Sequence, residues 1–351
     1  MALIHLPQAK WGSGTGRQVI LKSDFDKIEQ ALLESFQMPR GPSLEYVDSA
    51  KVRVPATADC KARLMLCGFP SPLHPGQWVS GGLADGRYRE NAAPVTLDFA
   101  GSGSLWGTEK TNQWYAVYGL AGSGDTTFSL KAMPVMRVSS QAAQIITLRN
   151  NADTANIGYG LTANELAEAQ ILGLTGGSRG LARLITANND DNAEAGTLTY
   201  AGSALDLAQG DWLMVLPKTN FRRLGMVFND ASGNLAPFDQ EGPRMTYRLP
   251  REWFTGAVNG YTLKDLALLA PPTARRLEGF GAALNGYDLK LAISYDGVNP
   301  ALILHCTPPA YELEGVRGAI PFGCRIPEGN RVYANNDNTA NQVAKITGWE
   351  E

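Results

Sequence analysis

Along most of the chain apolar residues recur at every second position, and one early segment replaces that rhythm with a helical one. Ser23 is an N-cap with Asp26 three residues on, a short-armed capping box. Phe25, Ile28, Leu32 and Phe36 then fall at i, i+3, i+7 and i+11, which predicts an amphipathic helix about three turns long. Pro39 and Gly41 end it. A helix of ~14 residues is marginal alone. Its stripe must therefore dock, either on its own domain or in a short bundle around an oligomer axis. Residues 1–22 are Gly-rich, with Gly12-Ser13-Gly14-Thr15-Gly16, but no Gly-Lys-Ser/Thr follows, so they read as a flexible arm and not a phosphate loop.

From Leu44 the period is two. Lys51-Val52-Arg53-Val54 alternates, a second alternating run lies between Cys60 and Phe69, and 70–94 reads as Pro- and Gly-rich loop. Val95 to Phe99 resumes the strands, and Gln113-Trp114-Tyr115-Ala116-Val117-Tyr118-Gly119-Leu120 is the strongest of them. Gly122-Ser123-Gly124-Asp125 turns it into Thr127 to Ala132. A polar stretch over 149–170 ends in a short expected helix, Thr162 to Gln170, with Glu165 at N3. Short strands then follow to the end, separated by Gly, Asn and Asp turns such as Asp230-Ala231-Ser232-Gly233-Asn234. Many short strands without βαβ alternation predict an all-β fold, an antiparallel, jelly-roll-like β-sandwich behind one N-terminal helix. The expected division is an arm and docking helix at 1–42, a β-rich part at 43–140, a mixed insertion at 141–215 and a C-terminal sandwich at 216–351.

Composition narrows the partners. With 31 basic and 34 acidic side chains the net charge is −3, which gives no electrostatic footprint for nucleic acid or an anionic membrane. No apolar run approaches the ~18 residues of a spanning helix, and Met1 to Pro7 lacks a signal peptide's basic and apolar regions; we expect synthesis in a cytosol. Glycine, at 38 of 351 residues, exceeds its usual share of ~7% and fits a turn-rich chain. Cys60, Cys67, Cys306 and Cys324 sit among apolar residues without zinc or redox spacing and read as buried hydrophobes. His5, His74 and His305 are scattered.

Three segments resemble structural proteins of tailed bacteriophages, in particular tail fibres and related virion appendages. Residues 111–120 are similar to an Asn-x-Trp-Tyr-hydrophobic-Tyr strand, through Trp114, Tyr115 and Tyr118. Phe221 to Phe238 is similar to an Arg-Arg-Leu/Ile-Gly strand, an Asp-x-Ser-Gly-Asn turn and a Pro-Phe return, through Arg222, Arg223, Gly225 and Gly233. Ile326 to Val332 is similar to a late Pro-x-Gly strand start. The resemblance implies β-sandwich domains that commonly trimerise in a virion. The sequence departs from it in having no repeating fibrous shaft, which leaves a collar, capsid-decoration or baseplate adaptor protein open.

A search for chemistry finds no enzyme signature, cofactor motif or metal motif. Asn188-Asn189-Asp190-Asp191-Asn192-Ala193-Glu194 offers oxygen ligands but not the spacing of an EF-hand, so residues 188–194 read as a solvated loop with a cation site as the alternative. Gly101-Ser102-Gly103 lacks a nucleophile elbow, and His305 and Cys306, as strand neighbours, face opposite ways. The basic pairs Arg222-Arg223, Arg275-Arg276 and Lys61/Arg63 read as salt-bridge partners at sheet edges or between subunits. Trp78, Tyr88, Trp106, Trp253 and Tyr261 stand in loop-like contexts, as core plugs or as glycan-stacking aromatics. The expectation is a non-enzymatic, homo-oligomeric and most simply trimeric virion protein. It would contact other virion proteins through residues 1–42, with a host-glycan-binding module as the alternative.

Overall fold

The computed structural model describes residues 43–57, 61–65, 69–70, 78–79, 88–101, 103–122, 124–152, 154–189, 195–255, 260–283, 289–294, 298–306, 320–326, 331–335 and 342–351. The expected N-terminal helix, with Phe25, Ile28, Leu32 and Phe36, lies outside them. The chain is all-β: among the described residues every strand pair is antiparallel, and the helical content is one 3-10 turn, Gly176–Ser178. Pro39–Glu351 forms one unit.

Gln113–Ala121 is the centre of a three-stranded sheet, with Asn220–Asn229 on one side and Ser129–Pro134 on the other. Two of the three segments compared with phage proteins are therefore direct neighbours: Trp114 stands opposite Phe228, Tyr115 opposite Val227 and Tyr118 opposite Arg223; of the third, residues 327–330 lie outside the described residues. Every residue from Gln113 to Gly119 is buried. An aromatic, β-branched run of this kind suits a strand covered on both faces. Elements of the same chain supply that cover, Phe99 against Tyr115 on one face and Trp349 against Trp114 on the other.

Gly119 interrupts this run for a packing reason. A β-carbon there would collide with Leu64 Cδ2, the buried side chain of strand Ala62–Met65. Gly119→Val is expected to destabilise the fold by about 1–3 kcal/mol through overpacking, read as a lower urea midpoint at unchanged slope. An unchanged midpoint would mean that Leu64 moves away at no cost.

Residues between 136 and 216 close into a six-stranded barrel. Around the ring run Met136–Ala142, Ile145–Arg149, Thr197–Tyr200, Ala182–Asn188, Gln170–Gly173 and Trp212–Leu216, which pairs back with Met136–Ala142. Met136, Val138, Ile146, Leu148, Ile171, Leu198, Leu213 and Val215 are buried, and closure leaves these strands no edge. The helix expected over Thr162–Gln170 is absent: residues 163–168 are turns and Gln170 begins a barrel strand. Its capping contact does form, Thr162 N donating to Glu165 Oε2 at 3.1 Å. The barrel wall, however, takes the amides a helix would use. Asn164 N donates to Asn188 O, Glu168 N to Ile185 O, and Leu166 N to Asn188 Oδ1, each at 2.8–2.9 Å. Asn164 and Glu168 adopt φ of +62° and +71° to allow it.

The C-terminal strands form two sheets. Phe238–Glu241, Arg244–Thr255, Gln342–Glu350, Arg276–Ala283 and Ile320–Arg325 make a five-stranded sheet with the C-terminal strand at its centre. Thr262–Asp265, Arg331–Asn335, Leu289–Ser294 and Pro300–Cys306 make a four-stranded one, and strands of the two sheets touch. In Ile320–Arg325 the period of two is plain, with Phe322 and Cys324 buried between exposed Pro321, Gly323 and Arg325. Before the barrel, Glu45–Asp48, Lys51–Val54 and Val95–Asp98 form a small sheet. The segment 70–94, expected as loop, contains the short strands Trp78–Val79 and Tyr88–Asn91, paired with Phe69–Pro70 and Ala62–Met65.

Candidate functional site

Trp114 and Phe228 meet Trp349 and Tyr247 in an aromatic seam between the three-stranded and five-stranded sheets. Tyr247 packs on Trp349 at 5.0 Å between ring centroids, Trp349 on Trp114 at 5.2 Å, and Trp114 on Phe228 at 5.0 Å. Tilted and edge-on geometry of this kind adds to area burial. Three polar tips reach carbonyls: Trp114 Nε1 donates to Ala267 O at 2.7 Å, Tyr247 Oη to Leu269 O at 2.8 Å and Tyr118 Oη to Val215 O at 2.9 Å. Arg251 lies over the Phe228 ring at 4.1 Å and donates to Tyr247 Oη at 3.2 Å. Tyr115 Oη accepts from Lys110 N at 2.7 Å.

Beside the seam is a buried polar junction that the sequence did not disclose. The Arg137 guanidinium, fully buried, pairs with Asp265 Oδ2 at 3.0 Å and donates to Asn151 O at 2.8 Å and Gly210 O at 3.0 Å. Asn151 accepts from Trp114 N at 2.9 Å and donates to Val135 O at 2.9 Å. Asp265 Oδ1 accepts from Ala267 N at 2.8 Å, so barrel, seam and four-stranded sheet meet here. One sequence signal was available: Arg137 is a lone charge between apolar Met136 and Val138.

The other family-like residues have structural places. Arg222 is buried; Arg223 pairs with Glu351 Oε1 at 2.8 Å, and Glu351 also accepts from Thr273 Oγ1. Lys61 and Arg63 both pair with Glu90, at 3.2 and 2.8 Å. These bridges lie within one chain. Gly225 follows a bulge in the pairing with Tyr118 and Val117, where a β-carbon would press on Gln240 and Leu44. Gly233 supplies the positive φ of its turn, +76°, and Asp230 Oδ1 accepts from Ser232 N and Asn234 N at 2.8 and 3.0 Å.

The aromatics considered for glycan stacking do not gather into one place that the described residues define. Trp78 and Tyr88 stand in short strands. Trp253, expected in a loop, lies in Arg244–Thr255 with its half-buried ring 6.2 Å from Phe322. Tyr261 is half-buried just before Thr262–Asp265. Trp106 is half-buried under the Lys131 ammonium at 4.4 Å. An open depression of ≈ 290 Å³ at the end of the three-stranded sheet is bordered by Leu120, Asp125, Phe128 and Thr219. Asp125 there holds the preceding turn, accepting from Gly122 N at 2.5 Å.

Of the candidate cation loop, Asn188 and Asn189 are described, and their amide oxygens accept from Leu166 N and Thr197 N at 2.8 and 2.7 Å. Residues 190–194 lie outside the described residues. Among the described residues no group of three or more His, Cys, Asp or Glu could hold a metal ion, and no helix is long and apolar enough to cross a membrane. Cys324 is buried with a free thiol.

Burial sets the acid–base behaviour of this core. It pushes Tyr247 up to about 12, against a smaller lowering by Arg251, and the Cys324 thiol up to about 12, against Arg276. It raises Tyr115 and Tyr118 as well. In each case the folded state holds the proton longer than the unfolded chain, whose groups ionise near 10.0 and 9.0. Their stabilising contribution is complete below the unfolded values and is lost as pH rises through them toward the folded ones. In an alkaline titration followed by phenolate absorbance, these three tyrosines are expected to ionise only together with loss of the β circular dichroism signal. Reversible ionisation of all 12 tyrosines near their ordinary value, with the fold intact, would contradict the burial.

No protein-family model matches the chain, and no curated protein or solved structure does either.

Proposed function

We propose that the chain is a non-enzymatic structural component of a tailed-phage virion, an oligomeric tail fibre or attachment protein that docks on the particle through residues 1–42. The observation that carries this reading is the pairing of two of the three segments that resemble phage virion proteins. Residues 111–120 and 221–238 were singled out from the sequence, and the strands within them, Gln113–Ala121 and Asn220–Asn229, are adjacent, with Trp114, Tyr118 and Phe228 all buried. Two of the three segments that carry the resemblance thus belong to one strand pair. In this reading the all-β body is the shell that presents its loops outward, and the low charge content, 19%, fits a surface partly covered by other subunits.

Native mass spectrometry of the whole chain tests the reading. A stable trimer is expected; a monomer at all concentrations rules out the oligomeric fibre. Removing residues 1–42 is expected to abolish incorporation into particles, and particles that still incorporate the shortened chain would remove the docking role. Electron microscopy of labelled virions separates a fibre from a collar, baseplate or capsid-surface position.

A further inference from the structure

We propose that Gln342–Glu350 is a keystone strand: its docking joins two ribbons that do not hold by themselves, so its release opens the five-stranded sheet as one event while the barrel stays closed. In that sheet Phe238–Glu241 pairs with Arg244–Thr255 on one side, and Arg276–Ala283 pairs with Ile320–Arg325 on the other. Among the described residues these two ribbons are joined in the sheet only through Gln342–Glu350, which pairs with Arg244–Thr255 along one edge and Arg276–Ala283 along the other. A two-stranded ribbon is marginal in water, and further strands with an apolar face are what make a sheet stand. All four partner strands precede residue 342, so the sheet closes only after they have been made.

The side chains of this strand also complete the core beneath it. Ala344, Ile346 and Trp349 are buried, Trp349 against Trp114 and Tyr247. Gly348 stands level with Thr246 on one side and Glu278 on the other, and a β-carbon there would strike Met245 O. The end of the strand is pinned to three elements. Glu350 O accepts from Arg275 N at 2.7 Å and Glu351 N donates to Pro243 O at 3.2 Å, one tie to the start of each neighbouring strand. Glu351 Oε1 accepts from Arg223 Nη1 at 2.8 Å and from Thr273 Oγ1, and Arg223 belongs to the three-stranded sheet. The barrel needs none of these bonds, because its six strands close on one another. Undocking residues 342–351 therefore strips a ladder from both ribbons and takes Trp349 out of the seam, and it leaves the barrel's own ladders whole.

The test is amide hydrogen exchange of the full chain, read by mass spectrometry under conditions where exchange follows the opening equilibrium. Glu351→Ala is expected to speed exchange in residues 342–350, 244–255 and 276–283 by one common factor. That factor is at least about tenfold, the scale of one lost charge-assisted hydrogen bond. Barrel peptides covering 136–149 and 182–188 stay as in wild type. Faster exchange confined to 342–350 overturns the proposal, because the ribbons then stand alone. An equal factor in the barrel overturns it too, because the chain then opens as a whole. Should Glu351→Ala exchange as wild type does, or fail to fold, wild type in rising sub-denaturing urea decides. The three strands are then expected to share one opening, with one urea slope, ahead of the barrel. Separate openings of the three strands, or one opening that includes the barrel throughout, overturn the keystone.

Discussion

Replacing Arg137 by alanine is expected to lower the stability of the folded chain by about 3–5 kcal/mol, the scale of removing one partner from a buried ion pair. The guanidinium has no exposed surface and stands 3.0 Å from Asp265 Oδ2. It also donates to the backbone carbonyls of Asn151 and Gly210, and it lies 5.0 Å from the centre of the Trp212 ring. Alanine removes the charge, at least three hydrogen bonds and the packing of the side-chain stem at once, and leaves buried acceptors short of a donor. Asp265→Ala is expected to cost less. The Asp265 side chain is 36% exposed, so the unfolded state gains less by hydrating it and water reaches the vacated position. Arg137→Met separates the contributions, because it keeps most of the volume and discards the charge; it should fall between the other two. Urea unfolding followed by circular dichroism gives the ordering through the midpoint at constant slope. An Arg137→Ala midpoint within about 0.5 kcal/mol of wild type, the range of ordinary surface substitutions, would show that the junction contributes little.

The sequence made its local periodicities readable and its long-range pairings unreadable. Strand Gln113–Ala121 and the turn at Gly122-Ser123-Gly124-Asp125 follow from residues within ten positions of one another, and Gly124 indeed takes a φ of +91°. The Asp230–Asn234 turn was legible for the same reason. Thr162–Gln170 shows the opposite case: its capping pair forms, yet the amides of Asn164, Leu166 and Glu168 are claimed by a strand some twenty residues on, which no local signal announces. Gly119 looks like a defect in a good strand until Leu64 is placed against it. Trp253 was expected in a loop but lies in Arg244–Thr255, where Pro250 sits in an irregular stretch between the pairs Thr246–Gly348 and Arg251–Ile346. For the candidate site, Trp114 and Phe228 were each noted in a strand, but not that they would face each other, nor that Arg137 would meet Asp265 from 128 positions away. Closure of the barrel depends on Trp212–Leu216 returning to Met136–Ala142, a pairing that the hydrophobic pattern of either strand permits but does not select.

Trp114→Ala is expected to be about as damaging as loss of Arg137, for a different reason. Trp114 is fully buried at the middle of the aromatic seam, within 5.2 Å of Trp349 and 5.0 Å of Phe228 between ring centroids. Truncating a buried Trp to alanine costs about 3–5 kcal/mol, from lost transfer energy and from the cavity that remains. The site is poorly placed to collapse, because its walls belong to different sheets: Phe228 to the three-stranded one and Trp349 to the five-stranded one. The hydrogen bond can be weighed apart from the volume. Trp114→Phe keeps most of the ring and loses the donor to Ala267 O, leaving a buried carbonyl unpaired at about 1–3 kcal/mol. Ala267 N in turn donates to Asp265, so Trp114 and Arg137 act on one short segment from two sides. Their effects are therefore expected to be non-additive, the double variant Trp114→Phe/Arg137→Met losing less than the sum of the two single losses, because the segment released by the first change has less left to lose. A double-mutant cycle on urea midpoints checks this. Strict additivity would mean that residues 265–267 are held by other contacts and that the seam and the junction are energetically separate.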